Sequence, residues 1–176
     1  VKILGLLRHA KSDWGESDKR DFDRGLNRRG RKGAELIGEH IRDHGVKWDK
    51  LVASPAQRVK TTLEEADIGP APEWEDSLYL ASTETICDVI REQGGDADRL
   101  LVAGHNPGFG DMVFELVAPR NENALFDEAK VKFPTAAFAV FELDIDDWAD
   151  LTEGCGKLVH FARPRDLDPE LGPEHG

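Results

Sequence analysis

The chain has 176 residues, which suits one domain on the usual scale of roughly 100–200 residues. Hydrophobic residues make up 39% and charged residues 33%, a balance that fits a well-solvated globule with room for a sizeable core. Asp and Glu outnumber Lys and Arg 35 to 23, a formal net charge of -12 that argues against nucleic acid or an anionic membrane as partner, so an anionic substrate needs a local cationic pocket.

Residues 1–7 form a mostly apolar run that stops at Arg8-His9, as a buried strand would. Residues 11–26 are a loop rich in Asp, Ser, Gly and Arg. Asn27 is the expected N-cap of a helix reaching about His44, closed by Gly45, with Ala34, Ile37 and Ile41 on its buried face. A second strand spans 48–53. Ser54-Pro55-Ala56-Gln57 then reads as a capping box, opening a helix to about Ala66. Residues 69–72 break the chain, 73–81 are extended or irregular, and Ser82 caps a helix ending at Gln93-Gly94-Gly95. A third buried strand, 100–103, runs into Gly104-His105-Asn106-Pro107-Gly108, where Pro107 opens another helix. A polar excursion with a short helix covers 119–131, and two further strands fall at 136–143 and 157–162. The tail from about 165, rich in Pro, Gly and charge, is expected to fray within a single domain of 1–176.

Strands alternating with helices predict an α/β fold, with helices on both faces of a central, mostly parallel sheet. Cys87 and Cys155 form no CxxC and read as free thiols. No signal peptide or membrane-spanning stretch is visible, so a cytoplasmic location is the default expectation.

Three strand ends carry chemistry: Arg8 and His9 on the first, Ser54 with Arg58 on the second, His105 and Asn106 on the third. In a parallel sheet such ends point the same way and converge. Two arginines, two histidines and nearby helix N-termini suit a dianionic phosphoryl group, without a metal or other cofactor to neutralise it. Two permanent cations beside His9 disfavour its protonation and leave a neutral nucleophile. His105 would bond an equatorial oxygen in the transition state.

Leu-Arg-His-Ala-Lys-Ser-Asp-Trp at 7–14, Ser-Pro-Ala-Gln-Arg-Val-Lys-Thr-Thr at 54–62 and Val-Ala-Gly-His-Asn-Pro-Gly at 102–108 resemble the three signature blocks of the histidine phosphatase superfamily. Ala10 after Arg-His, and the short length, resemble its SixA-type phosphohistidine phosphatase branch. So do residues 21–30, 133–136 and 158–164. The resemblance implies a phosphoglycerate mutase-like, three-layer fold. It implies His9 as nucleophile, Arg8 and Arg58 as phosphoryl ligands and His105 completing the pocket. Lys11, Ser12 and, through its backbone, Asn106 would line the site. As substrate it implies a phosphohistidine-bearing protein, either a histidine phosphotransfer domain or a phosphotransferase-system protein. Relatives that cleave oxygen esters carry an acid for the leaving group, and Glu75 or Asp76 are the candidates here. Their weak match leans toward N–P cleavage, because a departing imidazole can take its proton from solvent. The alternatives are a small-molecule phosphomonoesterase or mutase of the same superfamily, and a non-catalytic phosphate- or phosphoprotein-binding module.

Four other features read as structural. His40 and His44 lie one helical turn apart with no third ligand in view, Trp14, Trp48, Trp74 and Trp148 suit packing, and Asp21, Asp23 and Arg24 suit a local ion-pair network. Residues 144–147 lack the Gly and terminal Glu of a calcium loop.

Overall fold

The computed structural model describes residues 1–15 and 18–171. In chain order it runs β1 (Lys2–Arg8), α1 (Arg28–His44), β2 (Lys50–Ala53), α2 (Gln57–Ala66), β3 (Pro72–Trp74), α3 (Thr83–Gln93), β4 (Arg99–Gly104), α4 (Gly108–Leu116), α5 (Ala124–Val131), β5 (Phe138–Leu143), β6 (Gly156–Ala162) and α6 (Pro164–Leu167), with short 3-10 turns between. The six strands form one sheet in the order β3-β2-β4-β1-β5-β6. The first four strands in that order pair in parallel, and β5 and β6 add antiparallel pairs, so the sheet is mixed but mostly parallel.

β1 lies at the centre and is apolar on both faces because both faces are covered. Leu4 and Leu6 join Ile86, Ile90, Phe109 and Met112 from α3 and α4 in one layer of core. Leu7 joins Ala34, Ile37 and Ile41 of α1 and Val59 of α2 in the other. These are the three layers expected.

α1 has the ends that its sequence encodes. Asn27 Oδ1 accepts from Gly30 N–H at 2.8 Å, and Gly45 takes the left-handed conformation with φ 91°. Gly30 also permits a close approach: a Cβ there would sit 2.1 Å from the Lys11 carbonyl oxygen. The loop leading away from β1 is thereby pressed onto the start of α1, which Asn27 reinforces by donating its backbone N–H to the same carbonyl at 3.1 Å.

Several expectations need correction. α2 starts later than the motif suggested, with Ala56 as N-cap and no side-chain capping bond, so Ser54 builds no capping box. Its hydroxyl is drawn to His105 instead. Residues 164–171 are not a frayed tail: Pro164–Leu167 form α6 and Pro169–Leu171 a 3-10 turn, while 172–176 lie outside the described residues. Trp148 is fully buried as packing requires, but Trp14 and Trp74 are 66% and 45% exposed, stacked under Arg24 and Lys60 respectively. His40 and His44 do have a third partner in His160 on β6. A bulge between Val140 and Phe141 aims that ring: Val140 pairs with His160 but Phe141 with Leu158, so residues of the same parity face opposite layers. Cys87 and Cys155 are free thiols, as expected. No helix among the described residues is long and apolar enough to cross a membrane.

Candidate active site

β1, β4 and β2 are neighbours in parallel: Arg8 pairs with Gly104, and Ala53 with Ala103. His9 and His105 therefore emerge at the same height, with Ser54 one residue below them, level with Arg8 and Gly104. His9 is locked there by its backbone, its N–H donating to Gly104 O at 3.1 Å and its carbonyl accepting from Ala136 N–H at 2.9 Å. The next residue is tied to α2, since Ala10 N–H donates to Thr62 Oγ1 at 2.9 Å and Thr62 donates to the Arg58 carbonyl at 2.7 Å. One hydroxyl thus joins two signature segments.

His9 is 7% exposed, and its Nδ1 lies 2.7 Å from the Ala10 carbonyl oxygen. A carbonyl can only accept, so Nδ1 carries the proton and Nε2 keeps its lone pair. The pKa of His9 is pushed down to about 3, first by burial and then by the charges of Arg8, His105 and Arg58, against a raising hydrogen bond to Ala10. The neutral ring expected from the neighbouring arginines is present, but desolvation is the larger cause.

His105 stands beside it, ring centroids 5.3 Å apart and planes at 56°. Its Nε2 is 2.8 Å from Ser54 Oγ, which also accepts from Ala56 N–H at 3.3 Å. With the Ser54 proton directed to Nε2, the His105 ring proton sits on Nδ1, a buried atom with no hydrogen-bond partner among the described residues. Burial first, then Arg58, lowers the pKa of His105 to about 4.

Arg8 donates from Nη1 to the Phe133 carbonyl at 3.1 Å, which leaves its buried Nε without a partner among the described residues. Burial and the like charge of Arg58 lower its pKa to about 10, still cationic at neutral pH. Arg58 is 4% exposed and is gripped by Asp21, with Nη1 to the backbone carbonyl at 2.8 Å and Nη2 to Oδ2 at 3.0 Å. Tyr79 donates its hydroxyl to the same carboxylate and stacks on His105 at 5.4 Å. Burial pulls the Asp21 pKa upward, but the Tyr79 hydrogen bond and the Arg58 charge outweigh it, and the pKa falls. Asp21 was expected in a local network. It reaches Arg58 instead, 37 positions away, while Asp23 keeps to Arg20.

A cavity of about 590 Å³ opens in front of these groups. Arg8, His9, Lys11, Ser12, Arg58 and Asn106 line it, and His105, with its ring centroid 5.3 Å from that of His9, is not among the lining residues. Asn106 does more than line the wall: Nδ2 donates to the Phe133 carbonyl at 2.8 Å, and Oδ1 accepts from Gly110 N–H at 3.1 Å. Arg29, Lys132, Arg163 and Arg165 add cations that the sequence reading overlooked. Arg29 and Arg163 lie in the segments 21–30 and 158–164 that carry the family resemblance but were given no role of their own, and Arg165 falls in the expected tail. Neither candidate acid is there. Glu75 accepts from Ser77 Oγ at 2.7 Å and is bonded by Gln93, and Asp76 is exposed. No Asp or Glu lines the cavity among the described residues.

A model of the histidine phosphatase superfamily (branch 1) matches residues 4–78. Over 160 residues the chain is 32% identical to an uncharacterized protein of Mycobacterium tuberculosis, a match that covers 90% of this chain and 100% of that protein. Among solved structures it is similar to a candidate phosphohistidine phosphatase, SixA, from Nakamurella multipartitia, with TM-score 0.81, 30% identity and coverage of 93% of this chain and 96% of that one. The corresponding candidate from Agrobacterium tumefaciens gives TM-score 0.76 and 28% identity, over 93% and 98% of the two chains.

Proposed function

The chain belongs to the histidine phosphatase superfamily, and we propose that within it this protein hydrolyses protein phosphohistidine through a phosphoryl group carried on His9. His9 Nε2 attacks phosphorus, the P–N bond to the substrate imidazole breaks, and that imidazole leaves with the bonding pair. Water then attacks the phosphorus on His9, the second P–N bond breaks with its pair returning to Nε2, and phosphate departs as dihydrogen phosphate carrying both water protons, leaving His9 neutral. Both half-reactions develop charge on the same three oxygens, so one set of donors serves twice. Arg8 Nε and His105 Nδ1, both buried and without a hydrogen-bond partner among the described residues, supply two of these bonds, and the Arg58 guanidinium adds a third partner. Charge-assisted bonds of this kind contribute roughly 1.5–3 kcal/mol each.

The observation that carries the substrate class is the cavity lining, cationic and without a carboxylic acid among the described residues. An alcohol leaving group needs a proton delivered in place, whereas imidazole departs neutral when its other nitrogen is already protonated. The ring of Lys11, Arg29, Lys132, Arg163 and Arg165 suits a large anionic partner such as a phosphotransfer domain or a phosphotransferase-system protein, despite the overall charge of -12. The test is a comparison of kcat/KM for a phosphohistidine-bearing protein with that for sugar phosphates and a phosphoserine peptide. The N–P substrate is expected to be preferred. Faster cleavage of sugar phosphates would favour the small-molecule phosphomonoesterase and overturn this reading.

A further inference from the structure

Away from the cavity, three imidazoles meet between the last turn of α1 and the edge strand β6. His40 and His44 project from successive turns of one helix face, and the β6 bulge turns His160 toward them. Ring centroids lie 6.1 Å apart for His40 and His44, 5.0 Å for His40 and His160, and 4.1 Å for His44 and His160. One nitrogen from each ring falls within 4.8 Å of the others, and the Nε2 atoms of His40 and His160 are 2.7 Å apart. Tetrahedral zinc with Zn–N near 2.0–2.1 Å sets its nitrogens about 3.3 Å apart, a spacing that these rings, stacked at 14° and 28° on His160, reach by turning one nitrogen each toward a common centre. We propose that His40, His44 and His160 form a binding site for a first-row transition-metal dication of the zinc type.

The chemistry of the donors limits the ion. Neutral imidazoles suit zinc, cobalt, nickel and copper, and do not suit magnesium or calcium, which take oxygen ligands. The edge of Phe138 closes one side, 6.2 Å from His44 and 5.9 Å from His160. Three protein ligands leave the fourth position to water. The site is separate from the cavity, since none of the three residues lines it, and His160 is level with Gly5 on β1, roughly 10 Å below Arg8 along the strand. A bound ion would therefore pin α1 to an edge strand rather than take part in phosphoryl chemistry.

The experiment uses untagged protein at pH 7.5, titrated with Zn²⁺ by calorimetry and with Co²⁺ by visible absorption. One equivalent is expected to bind with a tetrahedral-type cobalt spectrum and to raise the thermal midpoint. His44→Gln and His160→Gln are each expected to weaken binding at least about tenfold, since even loss of an outer-shell partner costs that much. His9→Ala is expected to leave it unchanged. Circular dichroism of the metal-free variants separates a lost ligand from a lost fold, and His44, at the helix end, is the more tolerant position. Absence of stoichiometric binding to the wild type would overturn the proposal. So would binding unchanged in both Gln variants, or binding lost in His9→Ala, which would move the ion to the cavity.

Discussion

His9 is held so that a single nitrogen is free to react. Its Nδ1 proton is committed to the Ala10 carbonyl at 2.7 Å, and burial keeps the other nitrogen unprotonated far below neutral pH. With the His9 pKa pushed down to about 3, the neutral form prevails at every pH above that value. The amplitude of the phosphoryl-enzyme burst is therefore expected to stay level from pH 8 down to about 5 in single-turnover quench experiments, so long as the protein remains folded. A loss centred near pH 6.5 would instead mark an ordinary, solvated imidazole. The members of this constellation were legible because their chemistry lies in short strand-end motifs. What held them was not: Ser54 to His105 spans 51 positions and Asp21 to Arg58 spans 37, distances at which periodicity and caps carry no information.

At the scale of elements, local signals were the reliable ones. Asn27 and Gly45 encode both ends of α1 through bonds and backbone angles confined to a few residues. Ser54 carries the same kind of local signal, yet its hydroxyl serves a long-range partner and α2 begins after it. The bulge that turns His160 toward α1 depends on how β6 pairs with β5, which is invisible in either strand alone. The junction between α1 and the loop after β1 yields a sharp prediction. Gly30→Ala would place a methyl group 2.1 Å from the Lys11 carbonyl oxygen, so that loop or helix must shift. The expected cost is about 1–3 kcal/mol in urea unfolding, the usual scale for overpacking, accompanied by a fall in kcat/KM because Lys11 and Ser12 line the cavity. A variant with wild-type stability and activity would show that the contact relaxes freely.

For the molecule as a whole, a mostly parallel sheet covered on both faces followed from alternating strands and helices, whereas the strand order depends on long-range pairing that no local pattern encodes, and the expected frayed end proved to pack α6 against the site. Burying neutral histidines ties stability to pH. His9, His105 and His160 have folded pKa values of about 3, 4 and 4, against about 6.5 for the unfolded chain. Below pH 6.5 the unfolded state binds more protons than the folded one, so this contribution is complete above 6.5 and is lost as pH falls toward about 4. Thermal midpoints measured in a chelator are expected to be lower at pH 5 than at pH 7.5, and an equal or higher midpoint at pH 5 would contradict the buried neutral rings. The central claim, that His9 carries the phosphoryl group, is tested most directly by trapping it. The enzyme is mixed with an activated phosphoryl donor, quenched in base and probed by mass spectrometry before and after acid treatment. An acid-labile phosphoryl adduct on His9, absent from His9→Ala, is the expected result. No adduct on the wild type, or an undiminished one on His9→Ala, would contradict it.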